Sequence, residues 1–257
     1  MKDDMPTDQP GQIPTNLRLL VVLEHVARLG EPVLPAVLAD ITGLPKPTIH
    51  RLLATAEAEG LLQRDVDGRK YGPGQRLRSL AANTLSSQRV RTERLMIMKM
   101  LAARVGETCN LAAPGRYGMT YLDRVETHWP LQIKLPVGTQ VPFHCTASGK
   151  MYLSSLRTEK LSRLLSALEL ERQTAKTTVE PDALQAELAQ IRERGHSTDN
   201  EEFMDGMVAI AVPILDDQGR LLTTLSIHAP LQRHSVQSLT ESLPDLRSSA
   251  DALEQLI

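Results

Sequence analysis

The chain has 257 residues, of which 41% are hydrophobic and 23% charged, and its formal net charge is −2. This length is enough for two domains of unequal size, and the composition is ordinary for a soluble globular protein. The net charge argues against a nucleic-acid binder that is basic throughout, and no apolar run approaches the roughly 18 residues that span a bilayer. With no signal-peptide pattern in the first residues, we expect a cytoplasmic protein with no membrane partner.

The charge is unevenly distributed along the chain. Residues 14–91 contain 11 Lys and Arg against 7 Asp and Glu, whereas residues 92–257 contain 17 against 21. The N-terminal third is therefore the cationic part of the protein, and a contact with nucleic acid is expected there. Residues 1–15 are polar and contain three prolines, so we expect them to form a disordered tail.

Three helices are predicted in the N-terminal third. The first spans residues 16–29, with Asn16 as a favourable N-cap residue. The second spans Pro35–Thr42, and the third lies between Pro47, which suits a first helical turn, and Gly60, which suits the left-handed end of a helix. Because few residues separate the second and third helices, the pair has a helix-turn-helix pattern. We expect the first helix to bury an apolar side formed by Leu19, Leu20, Val22, Leu23, Val26 and Ala27.

The third helix has two chemically different sides. Ile49, Leu52, Leu53 and Ala56 recur at the spacing of one helical face and form an apolar stripe. The opposite side is short, cationic and able to donate hydrogen bonds, which suits the major groove of DNA. An ordinary solvated surface helix is the alternative interpretation of the same pattern.

A short basic hairpin is predicted directly after the third helix. Two strands flank a turn that contains Gly68, and Arg69 and Lys70 lie near its tip. The size and charge are typical of the wing of a winged helix, whose basic residues contact phosphate. We expect His50 and Arg51 to contact bases, because arginine pairs well with guanine. The residues assigned to DNA binding are Lys46, Pro47, Thr48, His50, Arg51, Thr55, Arg69 and Lys70.

The rest of the chain mixes helices and strands. A linker helix is predicted over residues 75–90 and a further helix over residues 91–105. Strands are predicted over Thr108–Ala113, Met119–Val125 and Leu131–Leu135, a helix over residues 181–194, and two more strands over residues 206–213 and 221–228. In the last strand, alternation places Thr224, Ser226 and His228 on one face of the sheet and Leu225 and Ile227 on the other.

A turn of small residues precedes the pair Gly149-Lys150. The pair suggests a phosphate loop, but positions 144 and 151 hold His and Met where that motif requires Gly and Ser or Thr. We interpret the segment instead as the start of a helix that ends near Ser155. Backbone N–H groups and the hydroxyls of Thr146 and Ser148 favour an anion at such a helix start, with Lys150 one turn further along.

The N-terminal and wing segments resemble the IclR family of bacterial transcriptional regulators, and the resemblance continues through the C-terminal domain. The family implies an α+β fold with an N-terminal winged helix-turn-helix domain, a linker helix and a C-terminal GAF-like α+β effector-binding domain. The corresponding domains are residues 1–15, 16–74, 75–90 and 91–257. The segments that carry the resemblance are Leu44-Pro45-Lys46-Pro47-Thr48-Ile49-His50-Arg51-Leu52-Leu53, Gly60-Leu61-Leu62 and Tyr71-Gly72-Pro73-Gly74.

The resemblance also implies a small-molecule site in the C-terminal domain. This chain has Ala209 and His228 where the best-known pattern of the family has a cysteine and a serine, so a very small oxoacid is disfavoured and an aromatic or longer-chain acid is expected. For both His228 and Asp199 a structural role is the alternative to a ligand contact. His228 would then be a hydrogen-bonded residue of the fold, and Asp199 would cap or hold a turn. The positions carried over from the family are Ala147, Ser148, Asp199, Ala209, Ser226 and His228, with Met119, Tyr121 and Ile133 as apolar neighbours.

The function predicted from these features is a ligand-responsive DNA-binding regulator of a catabolic operon. A homodimer, or a dimer of dimers, would place two winged helices on a near-palindromic DNA operator. The alternative is a small-molecule-processing enzyme with an accessory DNA-binding domain, although the chain has no nucleophile elbow and no dinucleotide fingerprint. Adjacent His144 and Cys145 point to opposite sides of an extended chain and cannot form a catalytic pair. We expect no cofactor and no metal, with a site at Cys109 and His128 as a minor alternative.

Overall fold

The computed structural model describes residues 13–256 except 66, 86–87, 116, 131–132 and 134. Most of the predicted tail, residues 1–12, therefore lies outside the described residues. The chain divides into two compact units, Met1–Ser87 and Gln88–Ile257, each with its own core. Within the described part, no helix has the length and apolar character that crossing a membrane requires.

The N-terminal unit contains three helices and a two-stranded wing. Val33, between the first two helices, forms an isolated bridge with Tyr71 and so adds a third backbone segment to the wing. The core of the unit collects apolar side chains from all three helices and both strands. The elements are α1 (Arg18–Leu29), α2 (Pro35–Thr42), α3 (Lys46–Ala58), β1 (Leu62–Arg64), β2 (Tyr71–Pro73) and α4 (Gln75–Leu85).

The start of α1 differs from the prediction. The helix begins at Arg18, and its N-cap position is Leu17, which makes no side-chain cap bond, so the prediction of Asn16 as the cap was wrong. The predicted buried side was also too wide, because Leu20 is 51% exposed and only three of the six predicted residues are fully buried. The end of the helix is as expected, with Gly30 in the left-handed conformation at φ 67°.

The C-terminal unit is built on one antiparallel sheet of six strands. The strand order is β5-β4-β3-β8-β7-β6. The strands are β3 (Thr108–Pro114), β4 (Met119–Val125), β5 (Gln140–Val141), β6 (Ser197–Asn200), β7 (Met207–Leu215) and β8 (Leu221–Pro230). The helices are α5 (Gln88–Val105), α6 (Ala147–Ser155), α7 (Thr158–Ala167), α8 (Pro181–Arg194), α9 (Val236–Thr240) and α10 (Leu243–Glu254).

The two faces of this sheet carry different helices. Helices α5 and α10 pack on one face, which contributes Leu225 and Ile227 of β8 to the core. Helix α6 packs on the other face and against α8, and that face carries Thr224, Ser226 and His228. The side chains of the last strand therefore alternate between the two faces as the sequence predicted.

Two parts of the C-terminal unit were not predicted correctly. No strand forms at Ile133 or Leu135, and the strand next to β4 is instead Gln140–Val141, so the strand predicted over Leu131–Leu135 was wrong as far as its residues are described. A run of apolar residues alone does not fix a strand when the neighbouring backbone pairs elsewhere. The structure also adds β6, α9 and α10, which the sequence analysis did not assign.

Candidate functional site

The outer side of α3 is the candidate DNA-contacting surface. Lys46, Pro47, His50, Arg51 and Thr55 are exposed there. The apolar stripe lies on the other side, in the core of the N-terminal unit. A helix anchored in this way presents a rigid row of short and basic side chains to a partner. Thr48 is half-buried and lies at the edge of this surface.

The basic side chains of this surface are available for a partner. Across the described residues, Lys46, His50 and Arg51 make no side-chain hydrogen bond or ion pair within the chain. The hydroxyl of Thr55 donates to the carbonyl oxygen of Arg51 at 3.0 Å, so its hydrogen is used within the helix and its oxygen remains as an acceptor.

The tip of the wing is a tight turn held by one carboxylate. Asp67 Oδ1 accepts hydrogen bonds from the backbone N–H of Arg69 at 2.9 Å and of Lys70 at 3.4 Å, and these bonds lower the pKa of Asp67. Gly68 supplies the positive φ of 69° that the turn requires. The side chain of Arg69 is exposed and that of Lys70 half-buried, so the turn presents two cations next to α3.

Arg64, which the sequence did not indicate as a functional residue, connects the wing to α3. Arg64 Nε donates to both carboxylate oxygens of Glu57, at 2.9 and 3.1 Å, and Nη1 donates to the carbonyl oxygen of Gly68 at 3.0 Å. The guanidinium also lies 5.1 Å from the ring centre of Tyr71. The guanidinium of Arg64 therefore contacts the protein itself, whereas the side chain of Arg69 makes no hydrogen bond or ion pair with another described residue. A pairing between a helix and the following strand has no fixed sequence spacing that could have identified it.

The effector site predicted in the C-terminal unit lies on the sheet face beneath α6. Asp199 on β6 pairs in register with Ala209 on β7, and Ala209 pairs with His228 on β8. Ser226 pairs with Asn110 of β3 in a neighbouring row. Residues paired across antiparallel strands share a face, so the fold brings these side chains to one side of the sheet.

Buried polar atoms without partners are concentrated on this face. A buried polar atom that makes no hydrogen bond is destabilising, so a group of them on one surface indicates a place for a polar ligand. Asn110 is a residue of this face that the sequence did not indicate, and Tyr121 on β4, expected as an apolar neighbour of the site, also presents its hydroxyl there. On this face and on α6 above it, the buried atoms without a hydrogen-bond partner among the described residues are Asn110 Nδ2, Tyr121 OH, Ser148 Oγ, Asp199 Oδ2 and His228 Nδ1.

His228 is held in the neutral form. Burial, together with a smaller contribution from the positive charge of Arg124, lowers the pKa of His228 to about 3. Nε2 lies 3.1 Å from the hydroxyl oxygen of Ser226, and the ring meets that of Tyr121 edge-on with 6.0 Å between ring centres. The free ring nitrogen, Nδ1, is therefore a neutral donor or acceptor, depending on the tautomer.

Asp199 combines a structural contact with a free oxygen. Oδ1 accepts backbone hydrogen bonds from Glu202 at 2.8 Å and Phe203 at 3.3 Å and so holds the turn after β6. Oδ2 is buried without a partner among the described residues. Burial, with a contribution from Glu202, raises the pKa of Asp199 to about 7, so its protonated form is accessible near neutral pH.

The other residues predicted for the effector site, Ala147, Met119 and Ile133, lie on three different elements or segments of the C-terminal unit. Ala147 is the first residue of α6, and its carbonyl oxygen accepts a hydrogen bond from Ser197 Oγ at 2.5 Å. Met119 is fully buried in the same core cluster as Tyr121. Ile133 is half-buried in the segment after β4, and its carbonyl oxygen accepts a hydrogen bond from Arg124.

Lys150 does not serve the anion site that its position in the sequence suggested. Its side chain is fully buried, and Nζ lies 2.5 Å from Glu187 Oε1 and 2.6 Å from Glu202 Oε2. Although burial would lower the pKa of Lys150, the two carboxylates raise it above its ordinary value. The charge of Lys150 is thus balanced inside the protein. A helix-start motif alone could not show this, because both partners are distant in sequence.

The preceding Gly149 has a packing role. A Cβ atom at this position would lie 2.3 Å from the carbonyl oxygen of Phe143, which no real side chain tolerates. Thr146 caps the same helix, with its Oγ1 accepting a hydrogen bond from the Gly149 N–H at 3.0 Å. The Gly-Lys pair therefore serves close packing and an internal ion cluster rather than phosphate binding.

Neither cysteine is in a metal-binding arrangement. Cys109 and Cys145 are both buried and free, and burial raises the pKa of each thiol. In the parts of the chain that the structure describes, no three His, Cys, Asp or Glu residues are grouped so as to hold a metal ion. His128, the other residue considered, stacks on Trp129 with 5.1 Å between ring centres.

Comparisons with known proteins match both units. Residues 17–66 match the IclR helix-turn-helix domain, and residues 82–255 match the family described as "Bacterial transcriptional regulator IclR C-terminal". The chain is 37% identical to the "Probable transcriptional regulator SauR" of Cupriavidus necator, over 92% of this chain and 94% of that protein. It is 30% identical to the "Transcriptional repressor IclR" of Escherichia coli, over 90% of this chain and 85% of that protein.

Solved structures agree with these matches. The IclR structure from Thermotoga maritima aligns with a TM-score of 0.63 at 25% identity and covers 94% of this chain and 97% of its own. An IclR homologue from Microbacterium hydrocarbonoxydans, solved in complex with 4-hydroxybenzoate, aligns with a TM-score of 0.60 at 27% identity and covers 93% and 98%. These relatives are transcriptional regulators, which rules against the enzyme alternative. The protein belongs to the IclR family of bacterial transcriptional regulators, with an N-terminal winged helix-turn-helix domain and a C-terminal effector-binding domain.

Proposed function

We propose that this protein represses or activates a catabolic operon in response to a small organic or aromatic acid. In this proposal α3 and the wing bind operator DNA, and the sheet face beneath α6 binds the acid. The 4-hydroxybenzoate complex of the Microbacterium relative supports an acid of aromatic size for that protein. Ala209 supports the same size here, because the residue that lies between Asp199 and His228 on the sheet has a small side chain.

The observation that carries the proposal is the group of buried polar atoms without hydrogen-bond partners on the sheet face and on α6 above it. Asn110, Tyr121, Ser148, Asp199 and His228 each present one such atom, and Met119 and the ring of Tyr121 add apolar surface. Ligand sites in proteins combine a mostly apolar wall with a few placed polar groups in this way. In this proposal residues 16–74 bind DNA, residues 75–90 connect the two domains, and residues 91–257 bind the effector.

We further propose that the protein acts in the cytoplasm as a homodimer or a dimer of dimers. Two copies related by two-fold symmetry would present two α3 helices to an inverted repeat in the DNA. The exposed cationic side of α3 supports this arrangement, because a single winged helix contacts only a few base pairs.

A DNA-binding assay with and without candidate acids tests the proposal. DNA from either side of the protein's own gene would be titrated with the purified full-length chain in the presence of a panel of aromatic and aliphatic acids. We expect binding to one fragment at nanomolar to micromolar concentrations and a change in that affinity with at least one acid. Binding that is absent, or that no acid alters, would contradict the proposal.

A further inference from the structure

Asn110 on β3 presents a hydrogen-bond donor of fixed orientation to the effector face. Its side chain is fully buried, and its register with Ser226 of β8 places it on the sheet face beneath α6. Nδ2 has no hydrogen-bond partner among the described residues. Because an unpaired buried donor is destabilising, this amide group is suited to a ligand that supplies an acceptor.

Arg124 fixes the orientation of the Asn110 amide group. Nη1 of Arg124 donates to Asn110 Oδ1 at 3.1 Å, and the two residues pair in register across β3 and β4. A guanidinium only donates hydrogen bonds, so the atom that faces it is the amide oxygen and the other atom is the NH2 group. Further bonds from Arg124 to Glu126 and to the carbonyl oxygens of Ile133 and Leu135 hold the guanidinium in place. Nδ2 therefore lies on the side of the amide group away from the bond to Arg124.

The start of α6 is the end of the effector face that favours an anion. The N–H groups of Ala147 and Ser148 occupy the first positions of this helix, where the helix itself offers no acceptor. The buried hydroxyl of Ser148 is a third donor, without a partner in the described part of the chain. The positive end of the helix dipole lies at the same place, whereas Asn110 offers a single neutral amide. The acidic group of an effector is therefore favoured at α6, and a neutral group at Asn110.

One row of paired residues connects Asn110 with the start of α6. Asn110 pairs with Ser226. Ser226 pairs in turn with Ala211, and Ala211 with Ser197 on β6, whose Oγ donates to the carbonyl oxygen of Ala147 at 2.5 Å. Three strand spacings of about 4.8 Å, roughly 14 Å in all, lie between β3 and β6, and the side chains at both ends shorten the gap. A substituted benzoate or a six-carbon acid is long enough for both ends, whereas an acid of two or three carbon atoms reaches one.

We propose that Asn110 selects among acids by donating a hydrogen bond from Nδ2 to a neutral acceptor oxygen at the end of the effector opposite its acidic group. The inference rests on the proposed function and specifies its ligand as an acid with a carbonyl or another neutral acceptor oxygen away from the carboxylate. An acid with an apolar group at that position leaves Nδ2 buried and unpaired, and it binds more weakly for that reason.

The test compares pairs of acids that differ only in this acceptor. The probes are 4-acetylbenzoate with 4-isopropenylbenzoate, and 5-oxohexanoate with 5-methylhex-5-enoate, titrated calorimetrically into the full-length chain. In each pair a C=O group is replaced by a C=CH2 group of nearly the same shape. We expect wild type to bind the carbonyl member of at least one pair at least tenfold more tightly than the alkene member.

Asn110→Asp is the variant that removes only the donor. It keeps the shape of the side chain and an acceptor for Arg124, but it replaces Nδ2 by an oxygen. We expect its preference for the carbonyl member to fall below threefold. The ratio of the two affinities is the measured quantity, because the added charge or a loosened structure weakens both members of a pair alike. Asn110→Leu, which adds no charge, should lose the same preference, and it decides the test if Asn110→Asp fails to fold.

Asn200→Asp is the matched control. Asn200 lies on β6 of the same sheet, and it is exposed. The substitution makes the same exchange of an amide for a carboxylate away from the effector face. Its preference for the carbonyl member should equal that of wild type.

Two negative outcomes are distinguishable. If acids of the set bind wild type without preferring the carbonyl member, or if the preference persists in an Asn110 variant that folds, the role of Asn110 is wrong and the proposed function stands. If no acid of the set binds wild type, the acid class is wrong, and the inference fails together with the effector part of the proposed function.

Discussion

The hydroxyl oxygen of Ser226 and Nε2 of His228 lie 3.1 Å apart on the buried face of β8. This contact orients the ring and leaves Nδ1 as the nitrogen without a partner in the described part of the chain. Because burial keeps the imidazole neutral, His228 contributes a directional hydrogen bond to the site and no charge.

Replacing His228 should weaken the effector and leave DNA binding intact. We expect His228→Ala to lower the affinity for a bound acid about tenfold, the loss of one buried hydrogen bond. Ser226→Ala should have a smaller effect, because Ser226 acts by orienting the ring. Calorimetric titration measures both, and DNA affinity without effector is the control. Unchanged acid affinity in His228→Ala would remove the residue from the site.

Asp199 should make stability depend on pH in a defined direction. Its folded pKa, about 7, lies above its ordinary value, so the folded chain holds a proton there that the unfolded chain has lost. The contribution of the protonated Asp199 carboxyl to the free energy of unfolding is complete below about pH 4 and is lost as the pH rises through 7. The free energy of unfolding of wild type minus that of Asp199→Asn should therefore fall between pH 5 and pH 8 in denaturant titrations. A difference that stays constant with pH would mean that Asp199 is already ionised.

Removing Lys150 should destabilise the C-terminal unit strongly. Lys150→Met leaves Glu187 and Glu202 close together without their cation, and breaking a buried ion pair in this way costs about 3–5 kcal/mol. The double variant Lys150→Met/Glu202→Gln should recover part of the loss. Lys176→Met, which removes an exposed ion pair with Glu201, is the control and should change the denaturation midpoint little. Equal effects of the two lysine variants would contradict the account of the ion cluster.

Arg51 and Lys70 should affect DNA binding in different ways. Arg51→Ala should reduce discrimination between operator and unrelated DNA by about 1–3 kcal/mol, because a base contact is lost. Lys70→Ala should weaken the binding of both DNAs equally. It should also reduce the slope of log affinity against log salt concentration by about one. Titrations at several salt concentrations separate the two effects. Loss of discrimination in Lys70→Ala alone would reverse the assignments.

Local patterns predicted the parts of the fold that depend on local physics. The glycines that end α1 and α3, the start of α6 after Thr146 and the alternation along β8 were all visible as spacing or residue type. Of the strand predicted at Leu131–Leu135, the described residues Ile133 and Leu135 form no strand. The pairing with β4 is made by Gln140 and Val141 instead, and an apolar run does not specify its own partner.

Some side chains act through partners that no local pattern in the sequence identifies. Lys150 was placed near an anion because its partners Glu187 and Glu202 could not be foreseen. The face of the sheet on which Arg124 lies could not be predicted from the alternation of residues along β4. The pairing of β3 with β4 shifts at the bulge between Leu111 and Ala112, and the sequence does not show this bulge. The resemblance to a family supplied candidate positions, but the buried atoms without partners required the structure.

Selection of DNA from a random library by the full-length protein tests the central claim, sequence-specific DNA binding through α3, most directly. We predict that wild type enriches an inverted repeat with half-sites one helical turn, or a multiple of it, apart, and that Arg51→Ala loses this enrichment while still retaining DNA in bulk. Enrichment of no sequence by wild type, or of the same repeat by Arg51→Ala, would contradict the claim.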